Sequence, residues 1–161
     1  MSLLTLLDDN DPFLRNPIAL LDVSSADIEA LKNLSKRMHE TRIHNKAIGL
    51  AANQVGLNVR MFVMGLDFAE FTCINPEIIS TNEEIVSITE GCLSFPSLLM
   101  KVKRPSEIRV KYLDLDLKEV ECTFNGMISR CFQHELDHLN GIVFTERVSK
   151  LVLSMARKKI K

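Results

Sequence analysis

Two histidines four residues apart, His134 and His138, are the side chains in this sequence best placed to do chemistry. They bracket an H-E-x-x-H pentapeptide in a stretch whose pattern predicts a helix. Because positions i and i+4 lie on one face of a helix, both imidazoles can reach the same metal ion. Glu135 lies beside them, where it can handle protons on a metal-bound water. The pentapeptide therefore predicts metal-dependent chemistry.

A third ligand has to come from another part of the chain, because a catalytic site of this type takes three protein ligands and leaves one position open for water. Residues 139–144 offer no ligand, no histidine follows His138, and Glu146 follows too closely to be delivered by a separate helix. Cys92 is the better candidate, since it follows a glycine and precedes Leu-Ser-Phe-Pro, where the backbone can leave strand geometry. The other cysteines lie in apolar settings typical of buried, inert thiols, and they are Cys73, Cys122 and Cys131.

Three blocks of the sequence resemble the peptide deformylase family. They are A-I-G-L-A-A-N-Q at residues 47–54, E-G-C-L-S at residues 90–94 and Q-H-E-L-D-H at residues 133–138. The blocks follow the family's order with similar spacing, and residues 10–15 resemble its opening segment. The similarity runs from about residue 5 to residue 148, and the chain looks like a short member without the long terminal helix of typical bacterial relatives.

The resemblance implies an enzyme that hydrolyses the formyl group from N-formyl-methionyl peptides and releases formate. Cys92, His134 and His138 would ligate one divalent metal ion, and Glu135 would be the general acid and base. The resemblance favours Fe²⁺ as the native ion, with Zn²⁺, Ni²⁺ or Co²⁺ as alternatives. Imidazole and thiolate ligands do not by themselves distinguish these metals.

The resemblance also implies an oxyanion site and a peptide-binding surface. The Gln54 amide and the backbone N–H of Leu93 would donate hydrogen bonds to the developing oxyanion. A methionine side chain needs an apolar, adaptable pocket, and simple core packing is an equal alternative for each residue proposed to form it. The residues predicted to bind substrate lie within or close to the motifs, and they are Ile48, Gly49, Ile88, Glu90, Gly91, Met127 and Cys131.

The sequence departs from the family pattern at two places. Ala47 replaces the first glycine of its block, which is tolerable unless the position requires a positive φ. Residues 97–100 lack the arginine that many bacterial relatives carry after Pro96, and this bears on substrate affinity and sequence preference rather than on the chemistry. We expect Arg104 to steady Glu90, because an isolated carboxylate there would be costly to bury.

Three further polar residues near the helices are expected to be structural. Asp137 points away from the face of His134 and His138, so we interpret it as a solvated helix residue. His39 and His44 lie near the end of an early helix, where surface exposure or compensation of the helix dipole explains them.

Composition supports one catalytic domain spanning residues 1–161, since this length is enough for a proper core. A net charge of −1 argues against DNA binding. No apolar run reaches the ~18 residues of a membrane span, and no signal or transit peptide is evident. Free cysteines suit a reducing cytoplasm, which would be the host's if the source were viral. The basic tail at residues 155–161 is a solvated helix end by default, with contact to the ribosome as the alternative.

Two other functional classes remain open. One is a zinc peptidase that uses the same H-E-x-x-H, and the Cys92 block argues against it. The other is an inactive protein that binds formylated peptides, and the intact Glu135 and Gln54 argue against that.

The elements that would position these residues follow from their patterns. A helix is predicted from a cap at Ser24 or Ser25 to His44, and another from Asn125 to Leu139, stopped by Asn140 and Gly141. Strands are predicted at about residues 59–64, 71–75, 77–81, 84–89, 99–104, 107–113 and 119–124. This order predicts an α+β fold in which antiparallel β-sheets pack around a central helix carrying H-E-x-x-H.

Overall fold

Two antiparallel sheets form the β-structure of residues 2–160, the part of the chain that the computed structural model describes. The larger sheet has five strands in the order β1-β2-β3-β6-β7, and the smaller is the β4-β5 hairpin. The strands are β1 (Gly49–Ala51), β2 (Met61–Leu66), β3 (Ala69–Thr81), β4 (Ile85–Cys92), β5 (Phe95–Pro105), β6 (Glu107–Leu113) and β7 (Glu119–Asn125).

Three α-helices accompany the sheets within the described residues: α1 (Ile28–His44), α2 (Gly126–Leu139) and α3 (Lys150–Lys158). Short 3-10 turns occur at Pro12–Arg15, Val23–Ser25, Ala52–Val55 and Phe144–Arg147. Helix α2 ends where Gly141 takes a φ of +76°, a left-handed conformation that favours glycine. None of the helices in residues 2–160 is long and apolar enough to cross a membrane.

Strand β2 is buried on both faces because helices cover the sheet on each side. Met61 and Val63 point to a cluster that includes Met38 of α1, whereas Phe62 packs against Phe132 of α2 with ring centroids 5.0 Å apart. This alternation follows from the two-residue period of a strand. The large sheet therefore supplies a rigid support for α2.

Helix α2 lies between the two sheets, and all of its residues from 129 to 139 are buried. One side packs on the large sheet through Phe132. On the other side, Arg130 donates hydrogen bonds to the backbone carbonyls of Val102 at 2.7 Å and Val86 at 2.9 Å, in β5 and β4. A helix buried all round suits the interior of a domain, and here it places His134 and His138 next to the small sheet.

The predicted α+β class is confirmed, and the bounds of α2 are close to those predicted. The predicted cap of α1 at Ser24 or Ser25 is wrong, because Asp27 caps the helix by accepting a hydrogen bond from the Ala30 N–H at 3.1 Å. The two strands predicted at 71–75 and 77–81 are one strand that continues through irregular pairing. Strand β1 at Gly49–Ala51 is not among the predicted strands.

Candidate functional site

Three potential metal ligands converge where the end of β4 meets α2. The ligand atoms of Cys92, His134 and His138 all lie within 4.8 Å of one another. Pairing between β4 and β5 shifts register between Glu90 and Cys92, so the strand is irregular where the cysteine projects. The Cys92 Sγ lies 3.2 Å from the His138 Nε2. The predicted trio is therefore brought together by a strand end and one helix face.

Glu90 orients the first histidine of the cluster. Its Oε1 lies 2.8 Å from the His134 Nδ1, which leaves the Nε2 of that ring to act as ligand. Arg104 and Arg130 also donate hydrogen bonds to this carboxylate, at 2.6 and 2.8 Å. Burial alone would raise the pKa of Glu90, but the hydrogen bonds from His134 and Arg104 hold it well below its ordinary range. Glu90 is thus a buried anion fixed by three donors.

Arg104 also binds a second carboxylate, which corrects an expectation. Its Nη1 donates to the Asp137 Oδ2 at 2.8 Å, and Arg147 donates to Asp137 at 2.6 and 2.9 Å. The prediction that Asp137 is a solvated helix residue is wrong, because the helix side that faces away from the metal cluster is covered by β5 and the turn at Phe144–Arg147. Arg104 does contact Glu90, as expected, and links it to Asp137.

Glu135 is a buried carboxylate that follows His134 directly in the sequence. Only 4% of the residue is exposed, and its Oε2 has no hydrogen-bond partner among the residues described. Burial raises the pKa of Glu135 to about 7, against an opposing effect of His134. A carboxyl group with a pKa near neutrality can both accept and return a proton.

The chemistry of the three ligands fits a divalent transition metal. Burial lowers the pKa of His138 well below its usual value, which keeps the ring neutral as a ligand must be. Burial also disfavours the charged form of His134, but Cys92 and Glu90 raise the pKa of its ring to about 10, so a cation binding there displaces a proton. One thiolate and two imidazoles suit zinc, iron, nickel and cobalt.

The side-chain amide of Gln54 is fixed in one orientation. Its Oε1 accepts a hydrogen bond from the Ala51 N–H at 2.9 Å, so the Nε2 is the end that faces the cluster. That nitrogen lies 3.1 Å from the Ser94 Oγ and 3.5 Å from the Cys92 Sγ. Leu93 directly follows Cys92, in the turn between β4 and β5. Both predicted oxyanion donors are therefore beside the candidate metal site.

A cavity of about 560 Å³ opens onto Glu135 and the ligands Cys92 and His134. Six of the seven residues predicted to bind substrate line it, and they are Ile48, Gly49, Glu90, Gly91, Met127 and Cys131. Ile88 does not line this cavity. It lines a separate hollow with Val86 and Gly126, farther along β4 from the ligands. The structure therefore does not support Ile88 as part of the methionine pocket.

The structure can be compared with the expectations for Ala47 and for the two histidines outside the cluster, His39 and His44. Ala47 does not have a positive φ, so the methyl group is accommodated without backbone strain. His44 is exposed at the end of α1. His39 is not a surface residue, since 14% of its side chain is exposed and its Nδ1 lies 2.8 Å from Glu70.

Several residues at the site were missed by reasoning from the sequence. Arg130 lies one helical turn before His134, and a buried arginine on that face would have signalled a nearby carboxylate. Lys46, Leu98 and Leu99 line the cavity but belong to no motif. Their position depends on how β5 and the end of α1 close around α2, which no local pattern reports.

Comparison with known proteins places these features in a family context. Residues 3–153 match the family model described as polypeptide deformylase. A peptide deformylase from Thermotoga maritima is 40% identical over 153 residues, which cover 93% of this chain and 90% of the relative.

Solved structures give the same result. A peptide deformylase from Synechococcus elongatus in complex with actinonin has a TM-score of 0.90 and 35% identity, covering 97% of this chain and 85% of that one. A Met-Ala-Ser-bound class I type b peptide deformylase from Acinetobacter baumannii has a TM-score of 0.87 and 31% identity, covering 91% of this chain and 99% of that one.

Proposed function

The chain belongs to the polypeptide deformylase family, and we propose that it removes the formyl group from N-formyl-methionyl peptides and releases formate. The observation that carries the proposal is the position of Glu135, a buried carboxyl group beside Cys92, His134 and His138 at one cavity. We also propose residues 1–161 as a single catalytic domain, because α2 packs against both sheets within residues 2–160.

Cys92, His134 and His138 would hold one divalent metal ion. When bound, such an ion supplies a Lewis acid that acidifies water and polarises a carbonyl group. We propose Fe²⁺ as the native ion, with Zn²⁺, Ni²⁺ and Co²⁺ also accepted, because the ligand types suit all four. The hydrogen bond between His134 and Glu90 orients the ring toward the ion.

The chain's own residues supply proton transfer and charge stabilisation. Glu135 takes a proton from the attacking water and returns it to the leaving amine, so that the amide C–N bond breaks with a free amino terminus as product. The Gln54 Nε2 and the Leu93 N–H donate hydrogen bonds to the oxyanion that forms on the formyl carbon. Loss of one such donor typically reduces the rate about a hundred- to a thousandfold.

The edge of the large sheet offers a place for the peptide backbone. Strand β1 pairs with β2 on one side only and is the outermost strand of its sheet, and Gly49 in it lines the cavity. An extended peptide can add to such an edge by backbone hydrogen bonds. Ile48, Met127 and Cys131 line the same cavity and provide an apolar surface for the methionine side chain. The Met-Ala-Ser-bound and actinonin-bound relatives support a peptide-like ligand for this chain.

Product analysis of the metal-loaded protein tests the proposal against the two alternatives. Incubation with formyl-Met-Ala-Ser, followed by assay of formate and mass spectrometry of the peptide, should give stoichiometric formate and intact Met-Ala-Ser. Cleavage of an internal peptide bond without formate would identify a peptidase. Binding of the peptide without any product would identify an inactive binder.

The ligand assignment has its own test. Cys92→Ala should abolish stoichiometric metal binding, whereas Cys131→Ala is a matched control that removes a nearby buried thiol lying outside the ligand cluster. Equal metal content in the two variants would refute Cys92 as a ligand.

We also propose a cytoplasmic location and a transient contact with the ribosome. The positively charged Arg157, Lys158 and Lys159 are exposed at the end of α3, where they can approach ribosomal RNA phosphates. Changing Lys158 and Lys159 to Gln should reduce co-sedimentation with ribosomes at low salt. The same change at the exposed Lys101 and Lys103 of β5 is the control, and equal effects of the two sets would refute the contact.

A further inference from the structure

Lys46 is an exposed cation at the cavity that the proposed chemistry does not use. It follows α1, has a left-handed backbone with φ of +57°, and donates its N–H to the Ile43 carbonyl at 3.0 Å. Its backbone is thereby held between the end of the helix and β1. Lys46 lines the same cavity as Glu135.

The charges around this cavity leave Lys46 free to bind an anion. Arg130 and Glu90 pair with each other at 2.8 Å in the buried part of the site. Within residues 2–160, no carboxylate lies within 4.0 Å of the Lys46 amine. Glu135 lines the cavity beside the ligands, and the lining residues Ser97 and Leu99 are uncharged. A positive charge without a counterion therefore lies beside the path of a bound peptide.

The separation between Gly49 and Lys46 is no greater than the length of a short extended peptide. Gly49 lies at the end of the cavity where the formyl group would react, because a Cβ built there would lie 2.7 Å from the Glu135 Oε1. Lys46 lies three residues earlier, at most about 11 Å away at 3.3–3.6 Å per residue. The third residue of an extended substrate lies at a comparable distance from its formyl group. A peptide that extends from Gly49 toward Lys46 would therefore bring its third side chain within reach of the Lys46 amine.

We propose that Lys46 is a specificity-determining residue that favours an acidic side chain at the third position of the formyl-methionyl peptide. The inference rests on the proposed function, since it assigns a preference to that same cavity. An exposed ion pair of this kind contributes little, so we expect a preference of about two- to fivefold at low ionic strength. Because the pair forms on binding and is unchanged during reaction, the preference should appear in KM rather than kcat.

The test compares three C-terminally amidated peptides, formyl-Met-Ala-Asp, formyl-Met-Ala-Asn and formyl-Met-Ala-Lys. Their kcat/KM values should fall in that order, and salt should reduce the differences. Lys46→Asn should remove the order and Lys46→Asp should reverse it, while Lys46→Arg should keep it. Asn and Asp tolerate a left-handed backbone, so these variants keep the local fold. Lys101→Asn removes a charge outside the cavity and should leave the order unchanged.

The outcomes separate this inference from the function on which it rests. Equal kcat/KM for the three peptides, or an unchanged order in Lys46→Asn, would overturn the role of Lys46 while leaving deformylation intact. If no peptide lost its formyl group, the proposed function would fail. Titration of the protein with Met-Ala-Asp-amide and Met-Ala-Lys-amide would then still decide whether Lys46 selects acidic peptides, because binding is measured without turnover.

Discussion

Replacing Gly49 by Ala would put a methyl group into space that the Glu135 carboxylate occupies. A Cβ at this position would lie 2.7 Å from the Glu135 Oε1, 2.9 Å from its Cγ and 2.6 Å from the Cys131 Sγ. Ordinary contact begins at 3.4 Å, so the carboxylate must retreat by about 0.7 Å. Misplacement of a reacting group by about 1 Å reduces rates by about 10²-fold, or about 2.7 kcal/mol of activation free energy. We therefore expect kcat to fall by that order.

The backbone at Gly49 does not require glycine, because its φ is not positive. The variant should thus fold and bind metal, with an overpacking penalty of about 1–3 kcal/mol in the free energy of unfolding. The assay is kcat for formyl-Met-Ala-Ser at matched metal content, with Gly91→Ala for comparison. A Cβ at Gly91 meets the flexible end of Leu99 at 3.0 Å, so this variant should lose much less activity. A Gly49→Ala enzyme within threefold of the parent would refute the assigned position of Glu135.

Three further predictions concern stability and metal binding. Arg104→Met should lower the free energy of unfolding by about 3–5 kcal/mol, because it leaves the buried carboxylates of Glu90 and Asp137 without the positive charge of Arg104. The variant should also bind metal about 10- to 100-fold more weakly. An unchanged thermal midpoint and metal affinity would count against the role of these ion pairs. Burial, and to a smaller extent Arg42, lowers the pKa of His39 below 6.5, so the unfolded chain binds a proton at this residue more readily than the folded protein does. The free energy of unfolding of the parent should therefore decline as the pH falls below 6.5, and that of His39→Gln should decline less. Denaturant titrations at several pH values measure both. Removal of the metal with a chelator should lower the thermal midpoint, since an ion present at about a thousandfold above its Kd stabilises the folded state by about 4 kcal/mol. A midpoint that changes neither with chelator nor with added metal would argue against a metal-binding site.

The local parts of the site were predictable because they depend on short-range geometry. The spacing of His134 and His138 places both on one helix face wherever the helix packs. Asn140 and Gly141 end the helix through their own backbone preferences. Cys92 stood apart from the other cysteines because of its neighbours in sequence. These features do not depend on distant parts of the chain.

The contacts across elements were not predictable in the same way. The burial of Asp137 depends on Arg104 and Arg147, which come from a strand and a turn that the helix pattern does not specify. Ile88 and Glu90 are two residues apart on the regularly paired part of β4, yet only Glu90 lines the cavity, whereas Ile88 lines a separate hollow farther along the strand. Long-range packing decides such positions, whereas sequence patterns report only local preference.

The measurement that tests the central claim most directly is formate release by Glu135→Gln against the parent at equal metal content. Gln has nearly the same size as Glu and fits the same buried position, but it cannot accept or return the proton. Loss of a general acid and base typically reduces the rate about 10²- to 10⁴-fold. A loss in that range with intact metal binding and peptide affinity would support Glu135 as the proton carrier. Retention of formate release within threefold of the parent would contradict the account.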